Sequence, residues 1–146
     1  MTTVAGILNA KANPAVHTID PAASVFEAVQ LMARENIGGL VVVERDRVVG
    51  IVTERDYARK VALMARASRD TPVRDIMTSP VMYVRSEQTS EECMALMTEN
   101  RLRHLPVMDG GELIGLISIG DLVKDIISQQ QFIIEQLEHY IAGERG

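Results

Sequence analysis

A mixed α/β (α+β) fold of two tandem β-α-β-β-α units is what this sequence predicts, and three observations carry the prediction. First, residues 19–62 align with residues 84–127 without a gap, at an offset of 65; self-similarity at a fixed period marks a repeated structural unit. Glu27/Glu92, Leu31/Leu96, Met32/Met97, Leu40/Leu105, Val42/Val107, Gly50/Gly115 and Asp56/Asp121 are identical pairs, and the apolar pattern repeats almost throughout. Second, the helix, strand and turn signals run in the same order in both copies. Third, the chain has 146 residues with 47% apolar content, about one average domain, enough to bury a core without a disulfide or metal staple. A unit of about 60 residues is marginal alone. The two are therefore expected to pack their sheets together as one pseudo-twofold domain. Residues 1–72 hold the first repeat with its N-terminal segment, and residues 73–146 the second with an extended C-terminal helix.

Each unit opens on a short extended piece, residues 16–19 and 81–84, bounded by Pro14 or Pro80. A helix follows, announced by Ser24-x-x-Glu27 and Thr89-x-x-Glu92, in which a hydroxyl and a carboxylate satisfy backbone donors that have no partner within the helix. Val25, Ala28, Val29 and Met32, then Cys93, Met94, Leu96 and Met97, recur at helical spacing, which places Cys93 in the core. Met32, Met64, Met94, Met97 and Met108 fall on the same apolar stripes and are expected to be core. Two β-rich runs come next, 40–43 with 48–52 and 105–108 with 113–117; Asp109-Gly110-Gly111 reads as a hairpin turn. A second helix closes each unit, over 54–67 and 120–142, with Gly143 as the C-cap.

The lone cysteine has no partner within the chain, which points to a reducing compartment, the cytoplasm. No apolar run approaches the ~18 residues of a membrane span, and residues 1–7 lack the charged start of a signal peptide. Lys and Arg number 15 against 20 Asp and Glu, a net charge of −5, and aromatics make up 3%. An acidic chain with few stacking residues is poorly suited to nucleic acid. Against that background Arg55, Arg59, Lys60, Arg66, Arg69 and Arg74 face only Asp56 and Asp70. Such a stretch is either a solvated helix face or a local anion sink that focuses field on phosphates.

The most specific local pattern is Gly50-Ile51-Val52-Thr53-Glu54-Arg55-Asp56, which recurs as Gly115-Leu116-Ile117-Ser118-Ile119-Gly120-Asp121. Thr53 and Ser118, each with an aspartate three residues on, read as helix N-caps. The same groups also suit a nucleotide: amides at a strand-to-helix junction and a hydroxyl for phosphate, and an acceptor-only carboxylate for two vicinal ribose hydroxyls. Both readings stand at this point. His17, His104 and His139 are not at metal-ligand spacing, and neither a nucleophile elbow nor a glycine-rich phosphate loop occurs.

In these residues the chain resembles the CBS-domain pair, or Bateman module. The resemblance covers nearly the whole chain. It rests on the twice-repeated Gly-h-h-Thr/Ser-x-x-Asp ending, on Val73-Arg74-Asp75-Ile76-Met77-Thr78 before the second unit, and on Arg103-His104-Leu105-Pro106-Val107. It implies regulatory binding of adenosine-containing ligands (AMP, ADP, ATP, NAD(H) or S-adenosylmethionine), one cleft per repeat, with no catalytic cofactor. Carried over by position, Asp56 and Asp121 would hold riboses, and Thr53 and Ser118 phosphate or ribose oxygens. Arg103 and His104 would reach phosphate. Adenine would lie on Val16-His17-Thr18 and Val81-Met82-Tyr83, in a slot that includes Gly39, Thr78 and Pro106.

The first repeat departs from the pattern, with Gly38 and Gly39 in the places of Arg103 and His104. Either its site is weak or vacant, or it is roomier and its phosphates meet Arg55, Arg59 or Lys60. The second case would admit a larger ligand such as a dinucleotide, glycine permitting close backbone approach. In the last helix Ile126, Ile127, Ile133, Ile134, Leu137 and Ile141 form a stripe, either packed on its own sheet or joining a homodimer, as the resemblance implies. The expectation is a cytoplasmic, homodimeric, non-enzymatic nucleotide sensor acting on an unidentified regulated protein, without nucleic acid or membrane. A structural dimerisation module whose aspartates only cap helices, and an enzyme that turns over its nucleotide, are the alternatives.

Overall fold

The computed structural model describes residues 2–11 and 15–141; Pro14 and the expected helix end at Ala142 and Gly143 lie outside them. Helix α1 (Val4–Ala10) precedes strand β1 (Thr18–Ile19), α2 (Val25–Glu35), β2 (Gly39–Glu44), β3 (Arg47–Thr53) and α3 (Glu54–Tyr57). A π-helical turn (Ala58–Ala62) and a 3-10 turn (Val73–Asp75) lead to α4 (Ser90–Asn100), β4 (His104–Asp109), β5 (Glu112–Ser118) and α5 (Ile119–Ile141). The expected order is present in the first repeat and, but for the opening strand, in the second.

Local chemistry accounts for the boundaries. Ser24 Oγ accepts from the Glu27 amide at 3.1 Å and Thr89 Oγ1 from the Glu92 amide at 3.2 Å, so each cap starts its helix. Both helices end in a left-handed residue at φ 55°, Asn36 and Arg101, whose amides turn back onto carbonyls of the last turn, Ala33 and Met97, as such caps do. The two hairpins turn through pairs at positive φ, Arg45-Asp46 and Gly110-Gly111, as the right-handed strand twist requires. β1 runs parallel to β2, β2 pairs antiparallel with β3 (Leu40 opposite Val52), and β4 pairs antiparallel with β5 (Leu105 opposite Ile117).

Three expectations are corrected. The extended piece at 16–19 shortens to Thr18–Ile19, and that at 81–84 makes only a parallel bridge from Val84 to Val107. Met82 and Tyr83 stand exposed there, with no apolar surface to hold them in a strand. The helix expected over 54–67 is α-helical only to Tyr57, because the Leu63 amide bonds to the Ala58 carbonyl and the Arg66 amide to that of Val61, five residues back. Such wider turns keep Val61 buried and turn Leu63 and Met64 outward; Met64 is 67% exposed rather than core.

The unexpected element is α1. Although it precedes the first repeat, Val4 and Ile7 lie in an apolar cluster with Val84, Cys93, Met97, Leu105, Val107, Ile117 and Leu122 of the second. Reciprocally, Val73 and Ile76 complete the cluster of Val25, Ala28, Met32, Leu40, Val42, Val52 and Val61 in the first. The hydrogen bonds match pair by pair. The Val25 amide bonds to the Thr71 carbonyl and the Ser90 amide to that of Thr2; the Val73 amide bonds to Ala23 and the Val4 amide to Gln88. Gly50 and Gly115 make room for these closing segments: a Cβ on Gly50 would sit 2.6 Å from Met77 Sδ, and one on Gly115 2.6 Å from Leu8 Cδ2.

Along β2, Leu40 and Val42 enter the first cluster, so alternation puts Gly39 and Val41 on the other face. That face meets the second repeat. A Cβ on Gly39 would lie 3.1 Å from the His104 ring, and His104 shares its face of β4 with buried Pro106.

Candidate functional site

The candidate site is a cleft of about 450 Å³ where β3 turns into α3, closed on its far side by the second repeat. Ile51, Thr53, Asp56 and Thr78 form its inner part, Glu54, Arg55, Arg59 and Lys60 one wall, and Arg101, Leu102, Arg103, His104 and Gly38 the other.

At its base Thr53 and Asp56 form a complete capping box. Asp56 Oδ2 accepts from the Thr53 amide at 3.0 Å and the Thr53 hydroxyl at 3.1 Å, and Thr53 Oγ1 accepts from the Asp56 amide at 3.2 Å. Asp56 Oδ1 faces Lys60 Nζ at 3.0 Å and the Thr78 hydroxyl at 3.4 Å. Lys60 Nζ also donates to the Ile76 carbonyl at 2.9 Å. Arg55 Nη1 donates to the Arg101 carbonyl at 3.2 Å, fastening the wall from one repeat to the wall from the other. Burial holds the His104 imidazole below its ordinary proton affinity, with Lys11 and Arg103 adding to the shift and the Asp121 carboxylate opposing it. Facing the cleft is thus a neutral ring among guanidiniums.

The basic stretch noted in the sequence divides. Arg55, Arg59 and Lys60 line the cleft. Arg66 pairs with Asp75 at 2.9 Å, Arg69 lies 4.1 Å over the Phe26 ring, and Arg74 donates to the Pro21 carbonyl at 3.5 Å.

Ser118 and Asp121 repeat the junction at α5: the Ser118 amide donates to Asp121 Oδ2 at 2.9 Å and the Asp121 amide to Ser118 Oγ at 3.1 Å. Here Lys11, from just beyond α1, takes the part of Lys60, with Nζ 3.1 Å from Asp121 Oδ2 and 2.9 Å from the Leu116 carbonyl.

Of the residues singled out by sequence, Thr53, Arg55, Asp56, Lys60, Thr78, Arg103 and His104 converge on the one cleft. Arg103 and His104, although they belong to the second repeat, serve the junction of the first, and Gly39 is small to seat the His104 ring. Ser118 and Asp121 form their own junction. Val16, His17, Thr18, Val81, Met82, Tyr83 and Pro106 are not among the residues lining the cleft. Thr18 pairs with Val41, the His17 ring sits 3.6 Å from the Glu35 carboxylate, and Pro106 is buried in β4. Arg101 and Lys11 were missed. Arg101 matches Asn36 at the repeat offset, both at left-handed C-caps, and this is the signal that would have drawn it in.

Cys93 is fully buried, and its thiol is pushed up by burial and by neighbouring Glu92. Ile126, Ile127, Ile133, Ile134 and Leu137 are exposed along α5, as is Phe132, so the stripe is not packed on its own sheet; Ile141's side chain lies outside the described residues. Among the described residues no three His, Cys, Asp or Glu side chains converge as a metal site, and no helix is long and apolar enough to cross a membrane.

The family pattern described as "CBS domain" matches residues 5–63 and 73–128. The mitochondrial CBS domain-containing protein CBSX3 of Arabidopsis thaliana is 41% identical over 125 residues, which cover 82% of this chain and 61% of that protein. The chain thus spans about three fifths of that relative. CBS domain-containing protein YhcV of Bacillus subtilis is 30% identical over 79% of this chain and 81% of its own. Among solved structures, a protein with CBS domains from Burkholderia ambifaria, with a proposed role in signal transduction, is 57% identical at a TM-score of 0.85, over 88% of this chain and 96% of that one. A hexameric CBS-CP12 protein from bloom-forming cyanobacteria is 33% identical at a TM-score of 0.76, over 84% and 71%.

Proposed function

Because the chain belongs to the CBS-domain family, with two copies of the domain in tandem, we propose that it is a regulatory sensor of adenosine-containing nucleotides, AMP, ADP, ATP or NAD(H). The observation that carries this reading is the convergence of Thr53, Asp56, Lys60, Arg103 and His104, drawn from both repeats, on one concave site of nucleotide size. A carboxylate for ribose lies at its base and cations for phosphate on its walls. Asp121 and Ser118 offer the second site, with Val16–Thr18 and Val81–Tyr83 as the flanking segments against which adenine would lie. A ligand held between repeats that binds one of their relative arrangements better shifts the population toward it, and a partner protein reads that shift. The Asp56 carboxylate is committed to a cap and an ion pair, which suits holding a ligand rather than moving its protons. Cys93, single and buried, suits a reducing compartment such as the cytoplasm.

The chain acts as a homo-oligomer through the exposed face of α5, whose apolar side chains a second copy would cover. Light scattering at micromolar concentration should give at least twice the 16.1 kDa of the protomer; a monomer mass refutes it.

Thermal shift with AMP, ADP, ATP, NAD, NADH and S-adenosylmethionine tests the sensor. At ~100 times its dissociation constant a ligand adds about 2.7 kcal/mol, or ~5–10 °C for a domain of this size. The shift should shrink in Asp56→Ala or Asp121→Ala relative to each variant's own ligand-free midpoint. One observation favours a second reading, a purely structural assembly module: both aspartates already cap their helices. A flat panel with folded protein would select it.

A further inference from the structure

The two junctions differ most in their cations. Five line the first cleft: Arg55, Arg59 and Lys60 from its own repeat, Arg101 and Arg103 from the other, against Glu54 and Asp56. At the repeat offset, α5 carries Gly120, Lys124 and Asp125 in the places of Arg55, Arg59 and Lys60. The first repeat in turn presents Asn36 and Gly38 in the places of Arg101 and Arg103. One cation of five survives, one is replaced by a carboxylate, and Lys11 offsets only the loss of Lys60.

The five are also unequally committed. Lys60 is paired with Asp56, and Arg55 is spent on the Arg101 carbonyl. Arg59, Arg101 and Arg103 make no ion pair with any described residue. Three exposed guanidiniums without ion pairs around one concavity, in an otherwise acidic chain, set up a local positive field that draws an anion, and the guanidinium fork matches phosphate oxygens two at a time.

We propose that the first cleft selects ligands carrying two or more phosphates, and that Arg101 and Arg103, delivered by the second repeat, bind the phosphates beyond the first. This rests on the reading of the cleft as a nucleotide site. A single phosphate is met by groups of the cleft's own repeat, Thr53 and Lys60. A longer chain reaches the opposite wall and ties the repeats together, so phosphate number sets how firmly they are clamped. The second junction, without these arginines, makes no such distinction.

Titration calorimetry of the full chain with AMP, ADP, ATP and inorganic tripolyphosphate, without magnesium, tests this in the wild type, Arg101→Ala/Arg103→Ala and Lys124→Ala. ADP and ATP should bind at least tenfold tighter than AMP. In the double variant that ratio should fall below threefold, with ADP and ATP losing far more affinity than AMP, while Lys124→Ala leaves the ratio unchanged. Equal binding of AMP and ATP by the wild type, or a preference that survives the double variant, overturns the proposal and leaves the nucleotide reading standing. Tripolyphosphate binding without AMP or ATP binding removes the adenosine reading and keeps the phosphate clamp. No binding of any probe overturns both.

Discussion

Replacing Ile7 by alanine should destabilise the second repeat as much as replacing Ile76 destabilises the first. The two isoleucines hold matching places in the closing segments, and both are buried, Ile7 at 4% exposure and Ile76 at 0%. Truncating a buried isoleucine to alanine costs about 2–5 kcal/mol, the lost transfer energy plus the cavity left behind. At ~2–4 °C per kcal/mol for a domain of this size, a cost of about 3 kcal/mol lowers the melting temperature by ~6–12 °C in either variant. The comparison is sharp because α1 has seven residues, too few to hold a helix without packing. If it were not docked on the second repeat, Ile7→Ala would cost almost nothing. Calorimetry and urea titration of both variants read the two midpoints. A full drop for Ile76→Ala beside a change of less than about 2 °C for Ile7→Ala refutes the closure of the second repeat by α1.

Arg45 and Asp46 turn the first hairpin at φ 50° and 62°, where residues with a Cβ cost roughly 1–2 kcal/mol apiece and Asp or Asn somewhat less. Arg45→Asn with Asp46→Gly should therefore raise stability by about 1 kcal/mol, and an unchanged or lower urea midpoint refutes it. The Cys93 thiol, buried and pushed up in proton affinity, should resist a disulfide reagent in native buffer and react at once in denaturant; rapid native labelling would show that the core of the second repeat opens. His104 has a folded-state proton affinity below its ordinary value of 6.5, so as pH falls through that value the unfolded chain takes up more protons than the folded one. Its contribution is complete above pH 6.5 and lost as pH falls toward the lower folded value. His104→Asn should flatten the decline in melting temperature between pH 7 and 5, and an identical slope would assign the decline to other groups.

Much of the fold was legible because it is written in short-range chemistry. Ser24 and Thr89 mark helix starts through their hydroxyls, Gly110-Gly111 marks a turn through its positive φ, and the stripe through Ala28 and Cys93 marks a buried face. The closing segments escaped for a different reason. Thr2, Val4, Ile7 and Leu8 correspond to Thr71, Val73, Ile76 and Met77 at an offset of 69, four beyond that of the main repeat, so a gap-free alignment passes over them. Seven residues with three apolar positions also carry too little periodicity to announce a helix. The cleft was legible residue by residue but not in its assembly. Arg103 and His104 were recognised for their chemistry, yet only the meeting of the Gly39 face with the His104 face shows that they serve the first junction. Nothing local marks the π turn after Tyr57, which depends on keeping Val61 in the core.

Capping and ligand binding need not compete for Asp56, because its two oxygens face different partners. Oδ2 takes the short bonds from the Thr53 amide and hydroxyl, while Oδ1 meets Lys60, 44% exposed, and a long contact from Thr78. An ion pair to so exposed an ammonium contributes little, so ribose hydroxyls can displace it at Oδ1 without disturbing the cap at Oδ2. Asp121 divides differently but to the same end: the Ser118 amide and Lys11 both use Oδ2, and Oδ1 has no hydrogen bond among the described residues. Asparagine keeps one acceptor for the cap and turns the other position into a donor. Asp56→Asn should therefore unfold within about 1 kcal/mol of wild type, whereas Asp56→Ala also gives up the cap, worth roughly 0.5–2 kcal/mol. Both should lose most of the nucleotide-induced thermal shift. If Asp56→Asn kept the full shift, the carboxylate would be a cap and nothing more, and the ribose would have to be held elsewhere in the cleft.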